Sequence, residues 1–589
     1  MTTDRELLRA FEPAVRFTRG EYFFPVSAAA YVERAALWRD DASGESSLER
    51  AVGELDLDVL TELCHRTQGL SSSLSGVDTG STRTRPAIVP PKDRPPALRG
   101  SNRLASVGVT ARTIDALNRL SLLFRGSVPG GSAARSLLLQ RDHLAPEQPT
   151  YYGRVVRDGH WVVCQYWFFY CFNNWRSGFG GVNEHEGDWE QVTVYLDGSG
   201  AVDGDGLPEP RWVVFSAHDE TGDDLRRRWD DPDLSLVQHR HPVVFSGAGS
   251  HSGAYLAGDY LITVPTPTLP AAVRWLRRGA RVFTPWSTTA QGGGLAIPYV
   301  DYARGDGHAV GPGTSSAWEM VVLDESQPWL WAYRGLWGHD TRDRLGGERG
   351  PAGPRYERDG TVRQSWADPV GWAGLAKVAP NPAVEEAMIQ AHREQIQARL
   401  HDLDEESARE RRSIGMAGAG LAPGSAEIRA LASRERQALE RRMEQTALRD
   451  ELRQLSVAGA TARASSGPHD HLAHRRLPMA EVSGVRARLL SWWAIVSTPL
   501  LLCVVALIVS PMWGFSAPWV ALISALALMS VEGLLRGEFL AVLLRLLLLL
   551  VVGLIIYWSI EQWRYAVAVP LVVAAVVVLA ANLREAWRH

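Results

Sequence analysis

The chain has 589 residues, a formal net charge of -4 and 22% charged side chains, so a single small domain is excluded and nothing in the balance points to nucleic acid. Its four cysteines (Cys64, Cys164, Cys171 and Cys503) form no C-x-x-C pair, which excludes a disulfide scaffold and fits a reducing compartment. The 22 tryptophans suit a β-rich domain with large packed faces or ligand grooves.

The first residues lack the apolar core of a signal peptide, so the soluble part is expected to stay on the side where it is made. A short strand ends near Phe17, EYFFPVS is an extended aromatic segment interrupted by Pro25, and YVERAALW has helical spacing. Residues 70–105 are rich in Ser, Thr, Pro and Gly and read as a flexible insertion. Ile114, Leu117, Leu120 and Phe124 predict a short amphipathic helix within 108–126. From Tyr151 the pattern is all-β. HWVVCQYWFFY reads as one long buried strand, and QVTVYL, RWVVFS and HPVVFSG follow between Gly, Pro and Asp turns, as in a sandwich. This β-sandwich domain, with short helices, is assigned to residues 1–380.

At Asn381-Pro382 the composition changes to that of helices, with Asn as N-cap and Pro at the first position. Residues 381–456 read as an antiparallel α-helical hairpin, either a solvated stalk or a coiled coil for homo-oligomers. A polar linker covers 457–484. Residues 485–589 carry apolar stretches near 489–512, 517–535, 539–560 and 565–582, read as a bundle of about four transmembrane helices. Trp492, Trp493, Trp513, Trp519, Trp558, Trp563 and Trp587 lie near their ends, as interface anchors do. Arg475, Arg476, Arg486, Arg488, Arg536, Arg545, Arg584 and Arg588 place the N-terminal soluble domain and the C-terminus in the cytoplasm, making an integral, multi-pass membrane protein. Glu532 and Arg536, four apart, are expected to pair, and the spans read as an anchor in the lipid bilayer that is also open to homo-oligomerisation.

The soluble part centres on EHEGDWEQVTVYL, residues 184–196. In a strand, Asp188 and Glu190 project side by side while Trp189 packs the other way, and His185 precedes a turn at Gly187. One imidazole and two carboxylates suit a divalent cation, Mg or Ca, held by His185, Asp188 and Glu190. The alternative is a structural network in which these acids pair with arginine or cap backbone N–H groups. His218 and His251 each follow a strand and enter a turn, so either joins the same loop end as an additional ligand-binding residue or simply caps its loop.

Five ordered stretches, PAVRFTRGEYFFPVSAAAYV, YWFFYCFNN, NEHEGDWEQVTVYL, HPVVFSGAGSHSGAY and YRGLWGH…GPAGP, resemble the vacuolar sorting protein sixty-two family over roughly residues 11–378. The central heptad is also similar to G-H-R-H-D-W-E, the signature of the necrosis-inducing NLP toxins. These are β-sandwich proteins that bind a divalent metal and plant sphingolipid head groups. The resemblance implies metal-associated roles for His185, Asp188 and Glu190. Here Gly187 replaces the second signature His and Glu184 the leading Gly, and Asn173, Asn174 or Glu184 substitutes for a further upstream Asp ligand.

The leading expectation is a membrane-anchored, non-catalytic binding module that uses a divalent cation to recognise a glycan, a lipid head group or a protein partner. One alternative is a metal-dependent hydrolase with Glu190 or His251 as base, although the chain has no nucleophile elbow, P-loop or H-E-x-x-H. Another is a membrane-perturbing effector of bacterial conflict.

Overall fold

The computed structural model describes residues 2–40, 46–66, 71–75, a few positions between 105 and 116, 132–144, 148–175, 184–200, 202–216, 225–264, 297–338, 352–418, 426–461, 477–479, 484–509, 517–540 and short pieces out to 579. The chain divides into two units: Met1–Leu98 with Ser127–Tyr260 and Asp301–Pro478, and Arg99–Gly126 with Leu261–Val300 and Met479–His589.

In chain order the strands are β1 (Ala14–Phe17), β2 (Ala36–Asp40), β3 (Ser46–Arg50), β4 (Ser71–Ser75), β5 (Thr150–Asp158), β6 (Trp161–Asn173), β7 (His185–Asp197), β8 (Pro210–Phe215), β9 (Arg226–Arg228), β10 (Leu236–Val237), β11 (His241–Ser246), β12 (Gly253–Ala254), β13 (Gly258–Val264), β14 (Ile297–Ala303), β15 (Ala309–Val310) and β16 (Glu319–Val322). The first unit is built on a sheet of order β16-β5-β6-β7-β8-β9, antiparallel from β5 to β9, with β16 parallel to β5. A second sheet, β10-β11-β1-β15, places β1 between a parallel neighbour and an antiparallel one.

Every residue of β6 and β7 is buried, because both faces of the six-stranded sheet are covered. On one face Tyr166, Phe168 and Tyr170 of β6 share an apolar core with Phe17 of β1, Val244 of β11 and Val310 of β15, so the two sheets pack against each other. On the other face Trp167, Phe169 and Trp189 pack with Tyr31, Leu60, Trp329 and Trp337 from short helices and loops. The unbroken apolar run of β6 is thus two alternating sets, one for each core.

Two segments differ from the sequence reading. YVERAALW is helical only in Ala28–Glu33; Ala36–Asp40 is a strand, because β3 and β4 pair along both of its edges and that ladder outweighs local helix propensity. The Ser-rich insertion begins not as loop but as β4, whose backbone hydrogen bonds on β2 need no large apolar side chains. The expected helix within 108–126 lies largely outside the described residues, of which Arg112 and Ala116 are helical.

The helical hairpin comprises Pro382–Gly418 and Ala426–Thr461. Asn381 caps the first helix, its side-chain oxygen accepting from the Val384 N–H at 3.0 Å. Ile396 and Leu403, one heptad apart, are buried, but the seam also carries Gln445 bonded to Asp404 at 2.9 Å and ion pairs such as Arg399–Glu444.

In the second unit, helices Val485–Val509 and Ala517–Arg536 pack together. Among the described residues one segment, Val485–Val504, is long and apolar enough to cross a membrane. The expected bundle of about four spans therefore reduces, among these residues, to one; most of the third and fourth stretches lie outside them. Glu532 pairs with Arg536 as its spacing predicts, at 2.7 Å. It is fully buried and also accepts from Arg112 in a two-pronged contact and from the Trp493 indole.

Candidate functional site

The site grows from the mouth of β7. Gly187 has φ 65°, and a Cβ built on it falls 2.4 Å from the Trp337 carbonyl oxygen, while one on Gly338 falls 1.8 Å from the Glu186 carbonyl oxygen. Two backbones therefore touch here, and only glycine suits the contact. A side chain such as histidine has no room at 187. The expected turn at Gly187 is absent: β7 runs through it, paired with β6 on both sides as Glu186 with Phe172 and Asp188 with Tyr170, and beyond it the alternation holds. Trp189 enters the helix-covered core, 5.0 Å from Phe169 and 5.2 Å from Trp337 between ring centroids. Asp188 and Glu190 lie across from Tyr170 and Phe168, on the face shared with the second sheet.

There Asp188 meets His251, which the turn after β11 delivers in a left-handed conformation, φ 57°. Such a backbone at a non-glycine residue costs on the order of 1–3 kcal/mol and persists only where surroundings fix it. The turn is fixed by the His251 N–H bonded to Gly247 O at 3.0 Å and by Ser250 and Ser252, which both donate to the buried Asp301. His251 Nδ1 lies 2.8 Å from Asp188 Oδ2, Nε2 lies 3.9 Å from Glu21 Oε1, and the ring stacks on Tyr170 at 3.8 Å with planes 2° apart. Glu21 is itself anchored by N–H groups of Tyr22 at 2.7 Å, Phe23 at 3.0 Å and Gly249 at 2.7 Å. Asn173 Nδ2 donates to Asp188 Oδ2 at 3.4 Å.

Burial alone lowers the His251 pKa, but the hydrogen bond to Asp188 and the nearby Glu21 and Asp188 carboxylates outweigh it, and the imidazole is pushed up to about 9. Burial raises the Tyr170 phenol well above its usual range, and the Glu190 and Asp188 charges add to this. The array is a cation between two carboxylates. Its contribution to stability is complete below the unfolded-state pKa of about 6.5 and is lost as pH rises through about 9. Wild type is therefore expected to exceed a His251→Gln variant by a few kcal/mol near pH 6, at roughly 1.4 kcal/mol per pKa unit. Denaturant unfolding from pH 6 to 10 checks this: the gap should narrow towards pH 10, and a constant gap contradicts it.

Of the sequence candidates, Asp188, His251 and Asn173 come together, with Glu190 two residues along on the face of Asp188. His185, the first residue of β7, is buried and bonds within its own strand, with Nδ1–H donating to Gly187 O at 2.8 Å and Nε2 buried without a hydrogen-bond partner. Glu184 sits just before β7, and burial raises its carboxyl pKa. His218 lies outside the described residues. Glu21 and Tyr170 were not singled out from sequence; the one signal for Glu21 was a lone acid leading an extended aromatic stretch.

Among the described residues no three His, Cys, Asp or Glu side chains are grouped closely enough to hold a metal ion. His185 has the tautomer of a metal ligand, but Asp188 spends Oδ2 on His251 and Asn173. As arranged, the donors do not fit Mg or Ca, which need six or more converging oxygens. Two cationic groups face these acids: the His251 imidazolium beside Asp188, and the buried Arg363, whose pKa burial lowers while the charges of Glu190 and Asp188 raise it. No family model matches the chain, and neither the curated proteins nor the solved structures contain a significant match.

Proposed function

We propose that the chain is a membrane-anchored, non-catalytic binding module whose recognition surface is the loop end around the β7 mouth. The observation that carries this reading is the buried Glu21–His251–Asp188 array, with His251 held in a left-handed backbone and stacked on Tyr170. Burying an ion cluster is costly and adds little to stability that apolar packing would not supply. Its use is to fix loop geometry, and ligand-binding residues gather on loops that a rigid scaffold positions. A hydrolytic base needs an available lone pair, whereas His251 directs one nitrogen at each of two carboxylates. The apolar segment Val485–Val504 supports the membrane anchor, and a multi-pass arrangement with the soluble domain in the cytoplasm is part of the proposal.

The test uses full-length protein in nanodiscs, probed against a glycan array and short-chain lipids in EDTA, then again with Mg or Ca. Wild type should bind one class saturably in EDTA without forming product. Asp188→Asn should weaken binding at least about tenfold while the protein stays folded. Equal binding by the variant sinks the assignment, and binding only with Mg or Ca restores the cation.

A further inference from the structure

The segments WLWAYR, PRYERDG and RQSW interleave arginines with aromatic residues, and the first unit brings them together beside β5. The Arg355 guanidinium carbon lies 3.6 Å from the Trp331 ring centroid and 5.1 Å from that of Tyr356. Arg334 lies 5.0 Å from the same tyrosine ring. Trp331 meets Trp366 edge to face at 6.5 Å, and Arg154 of β5 covers Trp366 at 3.9 Å. The frame is tied: Tyr356 donates to Trp331 O at 2.9 Å, the Arg363 N–H to Arg355 O at 2.9 Å, and Arg154 to Gln165 and to Trp366 O, both at 2.9 Å.

Three guanidinium groups thus share one aromatic wall, and among the described residues none of them pairs with a carboxylate. Arginine stacking alone accounts for one or two such contacts, but not for gathering three like charges. The crowding is felt: burial and then the Arg355 charge push Arg154 down to about 10, and burial lowers Arg355, with Arg334 adding to the effect. Arg355 also keeps Nε and Nη1 buried with no hydrogen-bond partner. Unsatisfied buried donors are costly, and an acceptor that carries negative charge relieves both faults together. Trp331 is 41% exposed and Arg334 is exposed, so the cluster is open to solvent.

We propose that Arg355, flanked by Arg334 and Arg154 on the wall of Trp331, Tyr356 and Trp366, binds a phosphate or phosphate-ester oxyanion. A multiply charged tetrahedral anion matches several planar forks better than a single carboxylate does. The site shares no residue with the β7 mouth, so it stands or falls apart from the reading above.

Calorimetric titration of the full chain in neutral detergent tests it, with inorganic phosphate and dihexanoyl phosphatidic acid as probes and chloride at matched ionic strength as control. Saturable binding of phosphate but not chloride is expected, weakened at least about tenfold by Arg355→Met and partially retained by Arg355→Lys. Tighter binding of the phosphatidic acid assigns the site to a lipid head group, and equal binding assigns it to free phosphate. Arg334→Met, at an exposed position, serves as second variant should Arg355→Met fail to fold. No binding beyond the chloride control overturns the proposal. So does a variant that loses thermal stability yet binds phosphate with unchanged affinity.

Discussion

Gly187→Ala is expected to destabilise the first unit by about 2–5 kcal/mol, the sum of two separable effects. The first is conformational: alanine at φ 65° costs roughly 1–2 kcal/mol. The second is collision: the new methyl group arrives 2.4 Å from the Trp337 carbonyl oxygen, a backbone atom with no rotamer to escape into. Overpacking of this kind costs about 1–3 kcal/mol. Gly200→Ala is the control, since Gly200 has φ 96° but nothing within 4 Å of its virtual Cβ. Thermal unfolding of both variants separates the effects. Gly187→Ala should lose about 10 °C in Tm and Gly200→Ala a few degrees; equal losses show that the approach to Trp337 is not tight.

The other large effect is expected at Glu532. Removing its carboxylate with Glu532→Leu strands Arg112, which is 1% exposed, and deprives Arg536 and the Trp493 indole of their acceptor. Breaking a buried pair from one side costs about 3–5 kcal/mol. Arg112→Leu should be of similar size, and the double variant should recover part of the loss, because Arg112 is then no longer a buried charge without its partner, although Arg536 still lacks Glu532. Melting of the four proteins in one detergent measures the coupling. Additive losses within about 0.5 kcal/mol count against the contact. A marked coupling also bears on the effector alternative. It ties Arg112 to the helix Ala517–Arg536 through Glu532.

Much of this was legible where the signal is local. The run HWVVCQYWFFY declared one long buried strand, the alternation Asp188-Trp189-Glu190 declared which side each residue takes, and Asn381-Pro382 declared a helix start. What sequence reading lost was non-local. Ala36–Asp40 is a strand because of two partners, one of them the Ser71–Ser75 segment that composition marks as loop. The β7 mouth was legible, but not the partners of its acids. Spacing along β7 placed Asp188 near His185, whereas the fold gives Asp188 to His251 and brings in Glu21 from the chain's first strand-to-helix connection. No periodicity within a window of a dozen residues reports such a meeting. The three-arginine wall escaped notice for the same reason, since each arginine alone looks like an ordinary solvated charge.

The position of β1 has a consequence for synthesis. Its parallel neighbour, His241–Ser246, follows it by about 230 residues, roughly 10–50 s at ordinary elongation rates. Throughout that interval a short apolar ribbon with two bare edges waits in the nascent chain, a natural client for a holding chaperone. The pairing of β1 is therefore timed by translation of residues far downstream of it.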